Sequence, residues 1–120
     1  LDSSPLTVLY HYTTSTALQS ILKSNQLWPS LRTSRPRDVR YGEGQYFTDV
    51  PPGQLTGSRL SRLLIGNPFD GHRFTYFLAI DVTGLTIHQG RPGIFVIPNS
   101  TSLPLEGRIV RTGRNFDDLP

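Results

Sequence analysis

The 120-residue sequence contains no cysteine, so it can build neither a disulfide framework nor a thiolate metal site. Its three histidines, His11, His72 and His88, are not at metal-ligand spacing, and no metal is expected. Long apolar runs are missing as well. The longest such stretch, Phe74 to Val82, is far too short to span a bilayer, so no membrane partner is expected. No Gly-x-Ser-x-Gly elbow, phosphate-binding P-loop or dinucleotide fingerprint occurs. Lysine is almost absent: Lys23 stands alone against eleven arginines, with a net charge of +3. Arginine's planar fork suits bidentate phosphate contacts, but a coding bias gives the same composition, and no dense basic run marks a nucleic-acid footprint. With no signal peptide and Leu1 in place of Met, the chain reads as a mature or excised module.

What is present reads as one α+β domain over residues 1–120. Apolar residues make up 36%, which supports one modest core, while 11 Gly and 10 Pro imply many turns. The stretch "LTVLYHY" (6–12) has the β-branched and aromatic content of a buried strand. A helix follows from Ser15 to Asn25, capped from within Thr13–Ser15, with Asn25 suited to a left-handed C-cap. Residues 30–44 lack periodicity and read as loop. "GQYFTDV" is a second strand stopped by Pro51-Pro52-Gly53, and 55–65 a second helix. Residues 72–82 form the best strand. "LTIHQ" and "GIFVIPN" are shorter ones separated by Gly90-Arg91-Pro92-Gly93; Gly107–Thr112 is the last, and "NFDDLP" is a tail expected to fray.

Two phrases carry chemistry. "LYHYTTSTALQSIL" places His11 and Tyr12 where a strand ends and a helix begins, and "YGEGQYFTD" places Tyr46 in Gly-x-Tyr-Phe-x-Asp. Together they resemble the ADP-ribosyltransferases of the His–Tyr–Glu group, the diphtheria-toxin-like and poly(ADP-ribose) polymerase-like enzymes. The narrower likeness is to the toxin-like subgroup with the HYD1 signature. It covers the order of elements over about residues 7 to 97, with only these two motifs specific. It implies a small split β-sheet domain that takes NAD as substrate and transfers ADP-ribose to a macromolecular acceptor, protein ahead of nucleic acid. It also implies a toxin or effector setting, secreted or delivered, with an immunity protein as a further partner.

Within that resemblance His11 and Tyr46 are the catalytic pair, and His11, Tyr12, Thr13, Gly44, Tyr46 and Arg91 the NAD-contacting set. Breaking the nicotinamide–ribose bond passes through an oxocarbenium-like ribose, so a site must orient the ring, hold ribose hydroxyls and offset positive charge. His11 can bond a hydroxyl, the backbone of Tyr12 can hold the carboxamide, and the Tyr46 ring can stack on nicotinamide. Two departures stand out. In many relatives a second stacking tyrosine follows eleven residues after the first; here that position is Gly57, leaving Phe69, Phe74 or Trp28 to substitute, or the ring stacked on one side only. The third signature residue, an acid at the start of a late strand, is missing from "QGRPGIFVI". Glu106 is the choice for it, with Gln89 and Arg91 as alternatives, while Asp49 reads as a turn cap. The arginines at 32, 35, 37 and 40 suit a pyrophosphate, an acidic target or plain solvent exposure. Alternatives to transfer are NAD hydrolysis, a non-catalytic NAD or ADP-ribose binding module, and kinship with RNA 2′-phosphotransferases.

Overall fold

The computed structural model describes residues 7–31 and 40–116. Strand β1, Val8–Thr13, leads through the Thr14 cap into α1, Ser15–Ser24. The Thr14 hydroxyl accepts from the Ala17 N–H at 3.1 Å, satisfying one of the helix's orphan donors. Asn25 closes the helix in the left-handed region at φ 57°, its N–H donating to the Ile21 carbonyl at 2.7 Å. Next come β2, Gln26–Leu27, and β3, Gly44–Phe47. Helix α2, Gly57–Ile65, is capped by Thr56 and ended by Gly66. A 3-10 turn, Gly71–Phe74, precedes β4, Tyr76–Asp81. The remaining strands are β5 (His88–Arg91), β6 (Ile94–Pro98), β7 (Leu103–Pro104) and β8 (Ile109–Arg114).

These elements are α+β, as expected, and every strand pair is antiparallel. One sheet has the order β1-β4-β8 and another β3-β6-β5, with β2-β7 a separate pair. The two larger sheets touch where Tyr10 and Thr48 exchange both backbone hydrogen bonds, each at 2.9 Å.

Side-chain alternation in β1 and β4 feeds two cores. Leu9, Leu78 and Ile80 point into one with Leu18 and Ile21 of α1, Phe47 of β3 and Phe95 and Ile97 of β6. Tyr12, Phe77 and Ala79 point into the other with Leu60 of α2 and Phe74 of the 3-10 turn. Each fully buried Leu, Ile or Phe in such a layer contributes about 1.5–3 kcal/mol. Covered on both faces, β1 is held firmly enough to serve as the reference for the site beside it.

The differences from the sequence reading are local. Residues 72–74 turn before the strand starts, and β2 and β7 are too short to leave a periodic signal. Gly90 and Arg91 belong to β5 rather than to a turn. Gly90 is needed because the Tyr41 ring lies on it: a Cβ there would sit 2.5 Å from the ring. The Val50 N–H is taken by the Thr48 hydroxyl at 3.2 Å, and Asp49 is exposed. Of the arginine cluster, 32, 35 and 37 lie outside the described residues, as do 117–120 of the tail; Arg40 is exposed. No helix among the described residues is long and apolar enough to cross a membrane.

Candidate functional site

The site begins with a hydrogen bond that breaks a sheet. Tyr10 pairs with Thr48, so an unbroken antiparallel ladder would next bring the Tyr12 N–H to the Tyr46 carbonyl. Instead the His11 ring takes that carbonyl, with Nδ1 at 2.9 Å from it. A carbonyl only accepts, so Nδ1 carries the proton and, in the neutral ring, Nε2 presents an open lone pair. Burial lowers the His11 pKa from its ordinary 6.5, only partly opposed by the Tyr46 carbonyl, which favours the neutral form. Phe47 meets the imidazole edge-on at 5.9 Å between ring centres and limits its rotation.

The displaced N–H and C=O of Tyr12 face the gap thus opened. In a strand, backbone groups two residues apart point the same way, so those of Tyr12 share the edge that Tyr10 offers to Thr48. Among the described residues no backbone partner meets them on that side. The Tyr12 side chain is elsewhere: buried in the second core, its hydroxyl donates to the Val50 carbonyl at 2.8 Å. Burial pushes that phenol well above its ordinary pKa, with the neighbouring Tyr10 adding to the shift and Arg111 opposing it. The backbone edge of Tyr12 therefore faces the gap, while its ring anchors the strand.

Tyr46 forms the opposite wall. Its hydroxyl donates to the Gly42 carbonyl at 2.6 Å and accepts from the Tyr41 N–H at 2.9 Å, so the ring is pinned to the loop before β3. Around these groups lie two adjoining depressions that share His11, Tyr12, Ser30, Arg73 and Phe74. The inner one, about 80 Å³, is closed by Tyr46, Phe47, Leu64 and Ile65. The outer one, about 500 Å³, adds Thr13, Thr14, Trp28 and His72.

His11, Tyr12, Thr13 and Tyr46 are thus brought together. Gly44 lines neither depression: Ser30 occupies both its backbone groups, and a Cβ would lie 2.1 Å from the Ile97 carbonyl oxygen. Its absent side chain serves strand approach. Arg91 donates to the Leu63 carbonyl on α2 and lines a different groove. Glu106 is exposed in the turn before β8, which Arg108 fastens to Asp81 at the Val8 end of the sheet. By strand rise that end is about 10 Å along β1 from His11. Gln89 is exposed and lines neither depression; nor does any described carboxylate.

Gly57 has a steric reason to lack a side chain, since a Cβ would meet the Gly71 carbonyl oxygen at 2.6 Å. Of the three possible replacements for the second tyrosine, Phe74 lines both depressions and Trp28, 64% exposed, lines the outer one; Phe69 lines neither. Arg73, in both linings, was not picked out from sequence. It sits in a stretch whose alternation suggested strand, and only the 3-10 turn brings it to the cleft. Among the described residues no group of three or more His, Asp or Glu could hold a metal.

No curated protein and no solved structure matches the chain. Residues 9–109 match the family described as HYD1 signature containing ADP-ribosyltransferase, and that span holds the wedged His11, the unpaired backbone edge of Tyr12 and the pinned Tyr46. The chain belongs to the HYD1-signature ADP-ribosyltransferase family.

Proposed function

We propose that the chain takes NAD as its ADP-ribose donor at the cleft between β1 and β3 and transfers ADP-ribose to a protein acceptor. The observation that carries this reading is the displaced Tyr12 backbone beside the His11 ring. An amide-bearing ring needs one acceptor and one donor in a fixed pair, and the Tyr12 C=O and N–H supply both. Tyr46 and Phe74 give the ring flat apolar neighbours. The His11 Nε2 lone pair accepts from a ribose hydroxyl, Arg73 answers the pyrophosphate, and the exposed Trp28 offers a stacking face to adenine. In the reaction the bond from ribose C1′ to the nicotinamide nitrogen breaks, and its electron pair neutralises the pyridinium. The acceptor nucleophile then bonds to C1′ and gives its proton to water. The family's toxin-like character makes an effector role, opposed by an immunity protein, part of this reading.

A second reading rests on the lack of a described carboxylate in the cleft: an NAD or ADP-ribose binding module without turnover. The two separate in one pair of measurements. Ligand at a hundred times its dissociation constant adds about 2.7 kcal/mol, or about 10 °C in a chain of this length. NAD is therefore expected to raise the melting temperature by that order, and nicotinamide release is expected to accelerate when a cell lysate supplies acceptors. No shift at millimolar NAD sinks both readings. A shift with no release in either condition leaves the binding module, and release equally fast without lysate identifies hydrolysis.

A further inference from the structure

On the other side of α2 from the His11 cleft, Arg59, Arg62 and Arg91 converge on a groove of about 700 Å³ floored by Leu55, Leu63 and Pro92. We infer that this groove docks an acidic segment of the protein acceptor, an inference that rests on the transfer reading above. Arg59 and Arg62 are exposed on one face of the helix, and no carboxylate lines the groove. No ion pair involves these three arginines among the described residues. Arg91 is fixed from below by its bond to the Leu63 carbonyl, and its buried Nε has no hydrogen-bond partner. The exposed guanidiniums of Arg59 and Arg62, with Arg91 held beside them, form a receptor for carboxylates, which arginine binds in bidentate fashion.

The floor decides between partner classes. Single-stranded nucleic acid is held on aromatic platforms, and this groove has none; its leucines and proline match aliphatic side chains interspersed among acids. Position links the groove to the chemistry. Leu64 and Ile65 wall the inner depression while Arg62 and Leu63 wall the groove, so about one helix diameter, roughly 10 Å, separates a docked segment from the cleft.

The test uses a fluorescein-labelled peptide of alternating glutamate and leucine, with a lysine–leucine peptide and an oligothymidine as comparators. The glutamate peptide is expected to bind, more weakly as salt rises, and the double change Arg59→Gln with Arg62→Gln to weaken it about tenfold or more. Both residues are exposed, and the melting temperature checks that the fold is kept. Nicotinamide release without acceptor should stay at the wild-type level, while transfer to a protein carrying that segment should fall. Failure of the glutamate peptide to bind at low salt, equal binding by the double variant, or tighter binding of oligothymidine would overturn the inference. Peptide binding in a protein that NAD neither stabilises nor supplies with ADP-ribose would retain the docking surface and reject the donor reading instead.

Discussion

The cleft beside His11 and the turn that carries Glu106 both hold polar groups, yet they differ in what those groups face. At the turn, the Leu105 and Arg108 N–H groups are taken by the Asn25 and Leu105 carbonyls, the Arg108 carbonyl accepts from the Asp81 N–H of β4, and the Glu106 carboxylate is left exposed. In the cleft, side chains take over backbone partners, His11 from Tyr12 and Tyr46 from its own loop, and uncommitted backbone is left facing a cavity. A polar group gains leverage on a ligand where it is both fixed and shielded, since each interaction is stronger away from water. In the proposed reading nicotinamide is held by backbone and neutral side chains, and only the pyrophosphate by a cation, Arg73; four substitutions test this contrast between cleft and turn.

The largest effect is expected at Gly57, where α2 begins. Gly57→Ala puts a Cβ 2.6 Å from the Gly71 carbonyl oxygen, with backbone on both sides and no flexible atom to give way. Overpacking of this kind costs about 3 kcal/mol at its upper range, read as a fall in the urea midpoint. A loss under about 0.5 kcal/mol would show that the 3-10 turn yields freely.

Second is His11→Asn, chosen because an amide can still donate to the Tyr46 carbonyl while the Nε2 lone pair disappears. One hydrogen bond of about 1.4 kcal/mol predicts a tenfold loss of NAD affinity, measured by calorimetry, with the fold intact. Burial holds the folded pKa of His11 below 6.5, so between that lowered value and 6.5 the unfolded chain binds more protons. The His11 contribution to stability is therefore complete above pH 6.5 and declines as pH falls below it; His11→Asn should flatten that slope. Unchanged NAD affinity in a folded variant would confine His11 to splitting the sheet.

Third is Tyr46→Phe, which keeps the ring face but abandons the Gly42 carbonyl and the Tyr41 N–H. About 1 kcal/mol of stability should go, with a few-fold weaker NAD binding from a looser wall. Thermal melts with and without NAD measure both, and wild-type behaviour in each would mean the loop is held by other contacts. Much of this region is legible in the sequence because its signals are local. The β-branched and aromatic run of 8–12, the capping hydroxyls before α1, the left-handed Asn25 and the Gly-x-Tyr-Phe phrase each act within a few residues. Arg73, Arg59 and Arg62 are not, since nothing near them in sequence records which cavity they line. The Gly57–Gly71 contact is equally silent, being an approach between two segments whose glycines could each have been read as mere flexibility.

The smallest effect is expected at Glu106, and it bears most directly on the comparison. The side chain is exposed, lines neither depression, and sits in a turn whose backbone hydrogen bonds do not involve it. Glu106→Gln keeps its shape and removes only a solvated charge, so stability should move by no more than about 0.5 kcal/mol. A carboxylate that held a ribose hydroxyl at the oxocarbenium would act chiefly in the transition state, and its loss would cost about 2.7–4 kcal/mol, roughly 10² to 10³ in turnover, with NAD affinity kept. Nicotinamide release in the acceptor-supplied assay distinguishes these outcomes by orders of magnitude. Wild-type release from Glu106→Gln supports a site whose electrostatics come from the Tyr12 backbone and the neutral His11. A hundredfold fall at unchanged NAD affinity would mean that the 105–108 turn reaches the reacting ribose, and the separation between cleft and turn would have to be abandoned.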